Sequence, residues 1–207
     1  MPTRQSAAPT PAADLRSAIL DTAEALLESD GLAALSMREV ARRAGVTHQA
    51  PYHHFADRET ILAELVARGF GELAARLARA NERAPKLSGR DLRIACAEAY
   101  VGFALDRPGV FRIMFRPEVC DPARFPAAQA AGERAHGELA RMVALLHGPQ
   151  AGPAYASGYW AQVHGLATLL VDGPLGAALP GARERRAHLR EVVALMADGA
   201  LSAAPPP

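Results

Sequence analysis

Apolar residues along this chain recur every three or four positions, the spacing that one face of an α-helix requires. Runs of β-branched residues, which favour strands, are almost absent, so the pattern predicts an all-α fold of about nine helices. The first helix is predicted over residues 14–29 and ends before Gly31. Its apolar stripe consists of Leu15, Ile19, Ala23, Leu26 and Leu27.

The stretch 36–55 has the pattern of two short helices joined by a tight turn. Ser36 can cap the first helix, and Glu39 stands three positions later, where its carboxylate can complete a capping box. Gly45 can adopt the positive φ that ends this helix. Thr47 can then cap the second helix, which is predicted to run to the end of the stretch.

The second helix of this pair would present side chains suited to nucleic-acid contact. Because these side chains hydrogen-bond, they can contact base edges and phosphates. Pro51 lacks a backbone N–H and predicts a local distortion. An Ala-Gly-Val corner also occurs in ordinary helical proteins, so the corner alone does not indicate this function. The side chains are His48, Gln49, Tyr52, His53 and His54.

A larger helical region follows, and capping residues, prolines and glycines divide it into further helices. The stretch 172–181 contains two prolines and three glycines, cannot continue a helix, and therefore separates the last two predicted helices. The predicted helices are 57–81, one from near 91 to 106, 108–115, a long one that ends at 146, 154–171 and 182–199.

The charge pattern predicts a confined basic surface. The whole chain has a net charge of +1, which excludes histone-like binding through bulk charge. Within residues 36–58, four arginines against two carboxylates give a net charge of +2. Arg4 could contact a minor groove from the N-terminal segment, although short basic tails are more often disordered.

Other features narrow the class of protein further. No apolar run is long enough to span a bilayer, and no basic-then-apolar leader begins the chain, so we expect a cytoplasmic protein. Cys96 and Cys120 are expected to be packing residues or free thiols, with a redox switch as the alternative. No histidine has a metal-binding spacing such as HExxH, and we expect no metal site and no cofactor.

The ordered pattern of residues 13–65 resembles the TetR family of bacterial one-component repressors. The match includes the run AxxLLxxxGLxxLSMREVAxxAGV, which begins at Ala23 and ends at Val46. It continues through the second short helix into the opening of the next one. The residues concerned there are Tyr52, His54, Phe55, Asp57, Arg58 and Glu59.

This resemblance implies a DNA-binding protein whose second short helix enters the major groove. At Arg58 the family usually has lysine, and arginine keeps the charge. Pro51 is the larger departure, since the family more often has an apolar helix former there. The implied contacts are Ser36, Met37 and Arg38 with the phosphate backbone, His48, Gln49, Ala50 and His53 with base edges, and Tyr52, His54 and Arg58 with phosphates.

With this resemblance the chain divides into two domains and two tails. Residues 13–60 are the predicted helix-turn-helix DNA-binding domain, and residues 61–200 are the predicted effector-binding and dimerisation domain. Residues 1–12 and 201–207 are expected to be disordered tails.

TetR-like repressors dimerise through their last two helices, so we expect a homodimer that binds a palindromic double-stranded DNA operator. The apolar pattern of these helices fits an ordinary core as well. The faces concerned are Ala154, Gly158, Ala161 and Gly165 on one helix and Leu189, Val192, Val193 and Met196 on the other.

The C-terminal domain is expected to enclose a pocket for a small apolar or aromatic effector, because the candidate lining residues include few charges. Aromatic residues at helical spacing more often fill a core, and that alternative stays open. The sequence motif WxxxHG, from Trp160 to Gly165, resembles the Trp-His-Gly subtype of TetR C-terminal domain. His164 is either a ligand-binding or pH-sensing group or a core histidine. The pocket candidates are Tyr100, Phe103, Phe111, Met114, Phe115, Met142, Tyr155, Tyr159, Trp160 and His164.

Three hypotheses for the function follow. The first is a ligand-responsive transcriptional repressor, in which the effector favours a dimer whose DNA-binding domains no longer match the operator spacing. The second is a dimeric interaction module that has lost DNA binding, and Pro51 is the residue that favours it. The third is an enzyme, for which the candidate groups are scattered. They are His136, His147, His164 and His188.

Overall fold

The computed structural model describes residues 12–121 and 123–199, and every regular element in these ranges is helical, which confirms the all-α fold. Arg4 and almost all of the two predicted tails lie outside these residues. Three short 3₁₀ turns, Leu32–Ala34, Ala50–His53 and Ala84–Lys86, lie between the longer helices. The α-helices are α1 (Ala12–Asp30), α2 (Met37–Arg43), α3 (Arg58–Glu82), α4 (Gly89–Asp106), α5 (Pro108–Met114), α6 (Pro126–His147), α7 (Pro153–Val171), α8 (Pro174–Ala178) and α9 (Ala182–Ala197).

The first part of the chain forms a small apolar core between α1, α2 and the start of α3. Leu26 and Val40 are fully buried there, and Ile61 joins them from α3. Phe55 anchors the segment between α2 and α3, because its ring is buried and lies 4.9 Å from the guanidinium carbon of Arg16. This core fixes the position of the short pair of elements that the sequence predicted to contact DNA.

The central helix α3 takes part in two cores. Its first turns close the N-terminal core, and its later turns pack against α4, α5 and, most extensively, α6. Gly69 allows α5 to approach closely, since a Cβ there would lie 2.5 Å from Cγ1 of Val110. The helices α7 and α9 in turn pack on α4. A displacement in the C-terminal helices can therefore reach the N-terminal core through α3.

A second connection joins the end of α1 to the start of α5. The Glu28 carboxylate accepts hydrogen bonds from the backbone N–H groups of Gly109 and Val110, at 2.6 and 3.0 Å. A Cβ at position 109 would lie 2.7 Å from the carbonyl oxygen of Leu27, so only glycine fits there without a shift of the backbone. These contacts fix α5 against α1.

Most predicted helices agree with the structure within about two residues at each end, which is the ordinary uncertainty of helix ends. The stretch 172–181 ends α7, as predicted, but it also contains the short helix α8, which the sequence pattern did not predict. Pro174 can begin this helix because the first position of a helix needs no N–H donor. One prediction is wrong. Residues 47–55 do not form an α-helix. The count of nine α-helices in the described residues therefore agrees with the prediction only because α8 replaces the helix expected at 47–55.

Candidate nucleic-acid interface and interior cavity

The first helix of the predicted pair begins as expected. The Ser36 side chain accepts a hydrogen bond from the Glu39 N–H at 3.2 Å, and α2 follows it directly. The reciprocal half of the capping box does not form, because the Glu39 carboxylate pairs with Arg42 and Arg43. These hydrogen bonds, from Arg42 first, lower the pKa of the Glu39 carboxyl to about 2.

The turn after α2 is confirmed in detail. Gly45 has a φ of +68°, and its N–H donates to the Arg42 carbonyl. The Val46 N–H donates to the Ala41 carbonyl at 3.1 Å. Together these two bonds form a Schellman motif, which satisfies carbonyl groups at the end of the helix.

The segment after this turn is the main correction to the predicted secondary structure. It contains a 3₁₀ turn, Ala50–His53, where an α-helix was expected. Pro51 has no N–H, so it cannot donate to the Thr47 carbonyl, which accepts from the Ala50 N–H at 3.0 Å instead. The residue before the turn is Gln49, and no side chain caps it, so the predicted cap at Thr47 is wrong.

Six of the ten predicted DNA-contacting side chains are exposed on α2 and around the 3₁₀ turn. The His48 and Tyr52 rings lie 5.9 Å apart, so the two aromatic groups are neighbours on this surface. Ala50 and His54 are half-buried beside them. We call the exposed set the contact surface. It consists of Ser36, Arg38, His48, Gln49, Tyr52 and His53.

Met37 lies at the start of α2 on the face of the helix that packs against the protein. Its side chain is only 7% exposed and packs in the N-terminal core, because it lies on the same face of α2 as Val40 and Ala41. The Met37 side chain therefore cannot contact DNA as the structure stands, and any phosphate contact would involve its backbone.

Arg58 is the second predicted contact whose side chain is occupied within the protein. Its Nε donates to the Leu35 carbonyl at 2.6 Å, and its Nη2 donates to the Leu32 carbonyl at 2.8 Å. Both carbonyls belong to the connection between α1 and α2, so Arg58 ties this connection to the start of α3. Its contact with a phosphate stays a prediction, for which the guanidinium retains donors on Nη1.

Arg58→Ala is expected to lower the free energy of unfolding by about 2 kcal/mol, since hydrogen bonds from a charged donor typically contribute about 1.5–3 kcal/mol and this site is half-buried. Arg58→Lys should recover only part of that loss, because an ammonium group lacks the planar fork. Thermal unfolding without DNA measures the effect. Arg38→Ala is the matched control and should leave the melting temperature unchanged. An equal melting temperature for Arg58→Ala would contradict the structural role.

Ion pairing reduces the positive charge that the contact surface can offer. Arg43 pairs with Asp30 as well as Glu39, and Arg42 pairs with Glu39. Within the described ranges, Arg38 makes no ion pair or side-chain hydrogen bond and is exposed. Arg38 is therefore the arginine of α2 best placed for a phosphate.

A cavity of about 280 Å³ lies between α3, α4, α6, α7 and α9. Its volume is close to the lower end of the range of about 300–1,000 Å³ that is typical of small-molecule sites. Its wall is mainly apolar, as the prediction of an apolar effector requires. The apolar wall residues from α3, α6 and α9 include Phe70, Leu73, Leu77, Ala135, Leu139, Met142, Val193 and Met196.

Half of the predicted pocket residues line this cavity: Tyr100, Phe115, Met142, Tyr159 and Trp160. The others do not. Phe103, Phe111 and Met114 are buried in the core that α3, α4 and α5 share. Tyr155 lines an open outer groove and lies against the His147 ring, and His164 lies behind Tyr100. Helical spacing placed all of them on inward faces but did not distinguish a filled core from a cavity wall.

His164 belongs to a chain of hydrogen bonds at the cavity wall. The Trp160 Nε1–H donates to the Tyr100 hydroxyl at 3.1 Å, and this hydroxyl lies 2.9 Å from Nδ1 of His164. Burial lowers the pKa of His164 and raises the pKa of Tyr100. Nδ1 of the neutral imidazole can thus accept a hydrogen bond from the Tyr100 hydroxyl, and the core-histidine alternative fits these contacts.

Sequence reasoning missed the contribution of α3 and α9 to the wall. Phe70, Leu73 and Leu77 follow the spacing of any amphipathic helix, so no local signal separated them from core residues. The polar wall residues Arg93 and Glu138 were also missed. Each is a charged residue on the face of its helix that otherwise consists of buried apolar residues, and this is a signal that could have identified them.

The enzyme hypothesis concerns the scattered histidines and any metal ion that they could hold. Within residues 12–121 and 123–199, no three His, Cys, Asp or Glu side chains lie close enough together to hold a metal ion. Among the scattered histidines, His147 Nε2 lies 2.9 Å from the Tyr159 hydroxyl, and His164 contacts Tyr100. The same residues include no helix with the length and apolar character that crossing a membrane requires.

Comparison with protein families identifies the chain. A model described as bacterial regulatory proteins, tetR family, matches residues 19–65. A model described as tetracyclin repressor-like, C-terminal domain, matches residues 94–197, which is half of the chain. The chain belongs to the TetR family. The members of this family are DNA-binding transcriptional regulators, and the resemblance seen in the sequence is confirmed.

Individual solved structures share this architecture. A structure from Rhodococcus sp. RHA1, described as a protein with unknown function, has 33% identity and a TM-score of 0.71, and the match covers 96% of this chain and 95% of that one. The TetR family regulator PfmR from Thermus thermophilus has 20% identity and a TM-score of 0.64, over 87% and 97% of the two chains. The latter shows a shared fold only.

Among curated relatives, the HTH-type transcriptional regulator Rv1816 of Mycobacterium tuberculosis is 28% identical over 125 residues, 60% of this chain and 51% of that protein. The chain thus spans about half the length of this relative. TetR-family proteins are normally regulators and not enzymes, and nothing in these comparisons shows a catalytic activity. The Trp-His-Gly subtype stays a prediction, since the matching C-terminal model is not described by those residues.

Proposed function

We propose that this TetR-family regulator is a ligand-responsive repressor that binds a palindromic operator as a homodimer in the cytoplasm. The observation that supports this most is the double role of α3. Ile61 near its start is buried in the N-terminal core, and Leu73 and Leu77 further along line the cavity. One rigid helix thus connects a cavity of ligand size to the core that carries the contact surface.

The proposed response follows from this connection. A ligand that occupies the cavity presses on the later turns of α3, and the first turns carry α1 and α2 with them. In a dimer, this motion changes the separation of the two contact surfaces, which must match half-sites about one DNA turn apart. In this scheme residues 13–60 act as the DNA-binding domain and residues 61–200 as the effector-binding domain, with α3 shared between them.

The exposed face of α7 supports the homodimer. This helix contains no Asp, Glu, Lys or Arg in 19 residues, yet most of its side chains are exposed in the single chain. Leu169 is 44% exposed and Tyr155 is 49% exposed. An uncharged helix face of this size marks an interaction surface. Ala154, Gly158, Ala161 and Gly165 are exposed on it and leave room for a close helix.

Fluorescence anisotropy with the DNA upstream of the gene, against a scrambled duplex and at several salt concentrations, tests DNA recognition. We expect tight, salt-sensitive binding to the native fragment. Gln49→Ala should weaken that binding by about 1–3 kcal/mol and leave scrambled DNA unaffected, since Gln49 is exposed and suited to a base edge.

Arg38→Ala is the matched comparison for a phosphate contact. It should lower the affinity for both duplexes equally and reduce the slope of log affinity against log salt concentration by about one. Equal losses on both duplexes for Gln49→Ala would contradict its base-reading role. If selection from random DNA also yielded no preferred site, the repressor proposal would fail and the interaction-module alternative would be favoured.

A further inference from the structure

Arg93 is a cation on the cavity wall that lacks a complete set of partners. It is half-buried on α4, and its Nε is fully shielded from solvent. Among the described residues, this Nε is the one buried side-chain nitrogen or oxygen without a hydrogen-bond partner. Native proteins rarely leave such a donor unpaired, because the lost hydration is not recovered. The unpaired donor therefore indicates a missing acceptor.

Several other polar groups of the wall have partners within the chain. Tyr100 and Trp160 bond to each other, and the Tyr159 hydroxyl contacts His147. The acidic wall residue Glu138 accepts a hydrogen bond from Asn81 Nδ2 at 2.9 Å and pairs with Arg141 at 3.5 Å. The charge of Glu138 is thus already compensated by direct contacts. Arg93 makes no direct ion pair within the described residues, although, together with the hydrogen bond from Arg90, its charge helps to lower the pKa of the nearby Asp198.

Arg93 also occupies the opening of the cavity. Together with Tyr159, Gln162 and Met196, it lines both the cavity and an adjoining open groove of about 430 Å³. The deeper wall, around Leu73, is apolar. A ligand that fits this arrangement has an apolar body inside and a polar group at the opening.

We propose that the cavity binds a small monocarboxylate with an apolar tail, and that the Arg93 side chain turns so that Nε and an adjacent Nη donate hydrogen bonds to this carboxylate. One edge of a guanidinium presents two parallel N–H donors, which match the two oxygens of a carboxylate. The inference rests on the proposed function and names the chemical class of its effector. The small cavity volume favours a chain of medium length over a long one.

Trp160 provides a direct assay, because it is the chain's single tryptophan and lines the cavity. Its emission is titrated at pH 7.5 with decanoate, 1-decanol and decylamine, which share one tail and differ in the polar group. Each stays below its micelle-forming concentration. Decanoate is expected to bind about ten- to a hundred-fold more tightly than the other two, the range that a charge-assisted bond gives.

Arg93→Met is expected to remove this preference, raising the dissociation constant for decanoate about ten-fold or more and leaving that for 1-decanol unchanged. Arg93→Lys should give an intermediate value, because it keeps the charge and loses the fork. Arg134→Met is the control, since Arg134 is exposed on α6 and does not line the cavity. Circular dichroism shows that each variant is folded, and the wild-type comparison of three probes needs no variant.

Three results would overturn the proposal: equal affinity for the three probes, tighter binding of decylamine, or no saturable change with decanoate. If Arg93→Met dissociates the dimer but leaves the affinity for decanoate unchanged, Arg93 belongs to the subunit interface instead. The assay contains no DNA, so it is independent of the repressor proposal. If decanoate binds through Arg93 but does not change operator binding, the proposed ligand response is contradicted. The proposed carboxylate site would still stand.

Discussion

Ala161→Arg is expected to convert the dimer to a monomer and to lower the affinity for the operator by about 10²–10⁴-fold. Ala161 is exposed in the single chain and lies on the uncharged face of α7. An arginine there would bury a charge without a partner in the proposed interface, which costs several kcal/mol. A monomer binds one half-site and loses the gain that a second linked site provides.

Sedimentation velocity measures the oligomeric state, and anisotropy with the operator measures the affinity. Ala140→Arg is the matched control, because Ala140 is also an exposed alanine in a helix, on α6. The control should stay dimeric and bind the operator as the wild type does. If Ala161→Arg stays dimeric at micromolar concentration, the subunits do not associate through this face of α7.

Features that depend on a few neighbouring residues could be predicted from the sequence. Ser36 caps α2 and Gly45 ends it, because each acts on backbone groups within three or four residues. The same holds for the start of α4 at Ser88, whose side chain accepts from the Asp91 N–H. The positions of most helices and the family resemblance rest on such local signals.

Features that depend on distant residues could not be predicted. Arg58 was assigned to a phosphate contact. The carbonyl groups of Leu32 and Leu35 that it binds lie more than 20 residues earlier, so no local sequence pattern predicts these hydrogen bonds. Pro51 is a local exception: a distortion of the helix was predicted there, but without the Pro51 N–H the whole segment forms a 3₁₀ turn. Only half of the predicted pocket residues line the cavity, because a buried aromatic ring has the same sequence spacing whether it meets another side chain or an empty volume.

The hydrogen bonds of Glu28 also join residues that are distant in the sequence, and their loss is expected to lower the stability of the protein strongly. Glu28→Ala is expected to lower the free energy of unfolding by about 2–3 kcal/mol, because it leaves the Gly109 and Val110 N–H groups at the start of α5 without their acceptor. For a chain of this size the melting temperature should fall by about 5–10 °C. All variants are compared at one protein concentration, since dimerisation makes this temperature concentration-dependent. Glu82→Ala, an exposed carboxylate at the end of α3, is the control.

The functional consequence of the Glu28 contact is tested with Glu28→Gln, which keeps one acceptor oxygen and should remain folded at room temperature. Phe115, directly after α5, lines the cavity, so α5 is a second route from the cavity to the end of α1. We expect Glu28→Gln to bind decanoate as the wild type does in the Trp160 assay but to show a weaker effect of decanoate on operator binding. An unchanged effect would mean that α3 alone carries the coupling, since the contact between α1 and α5 would then contribute only stability.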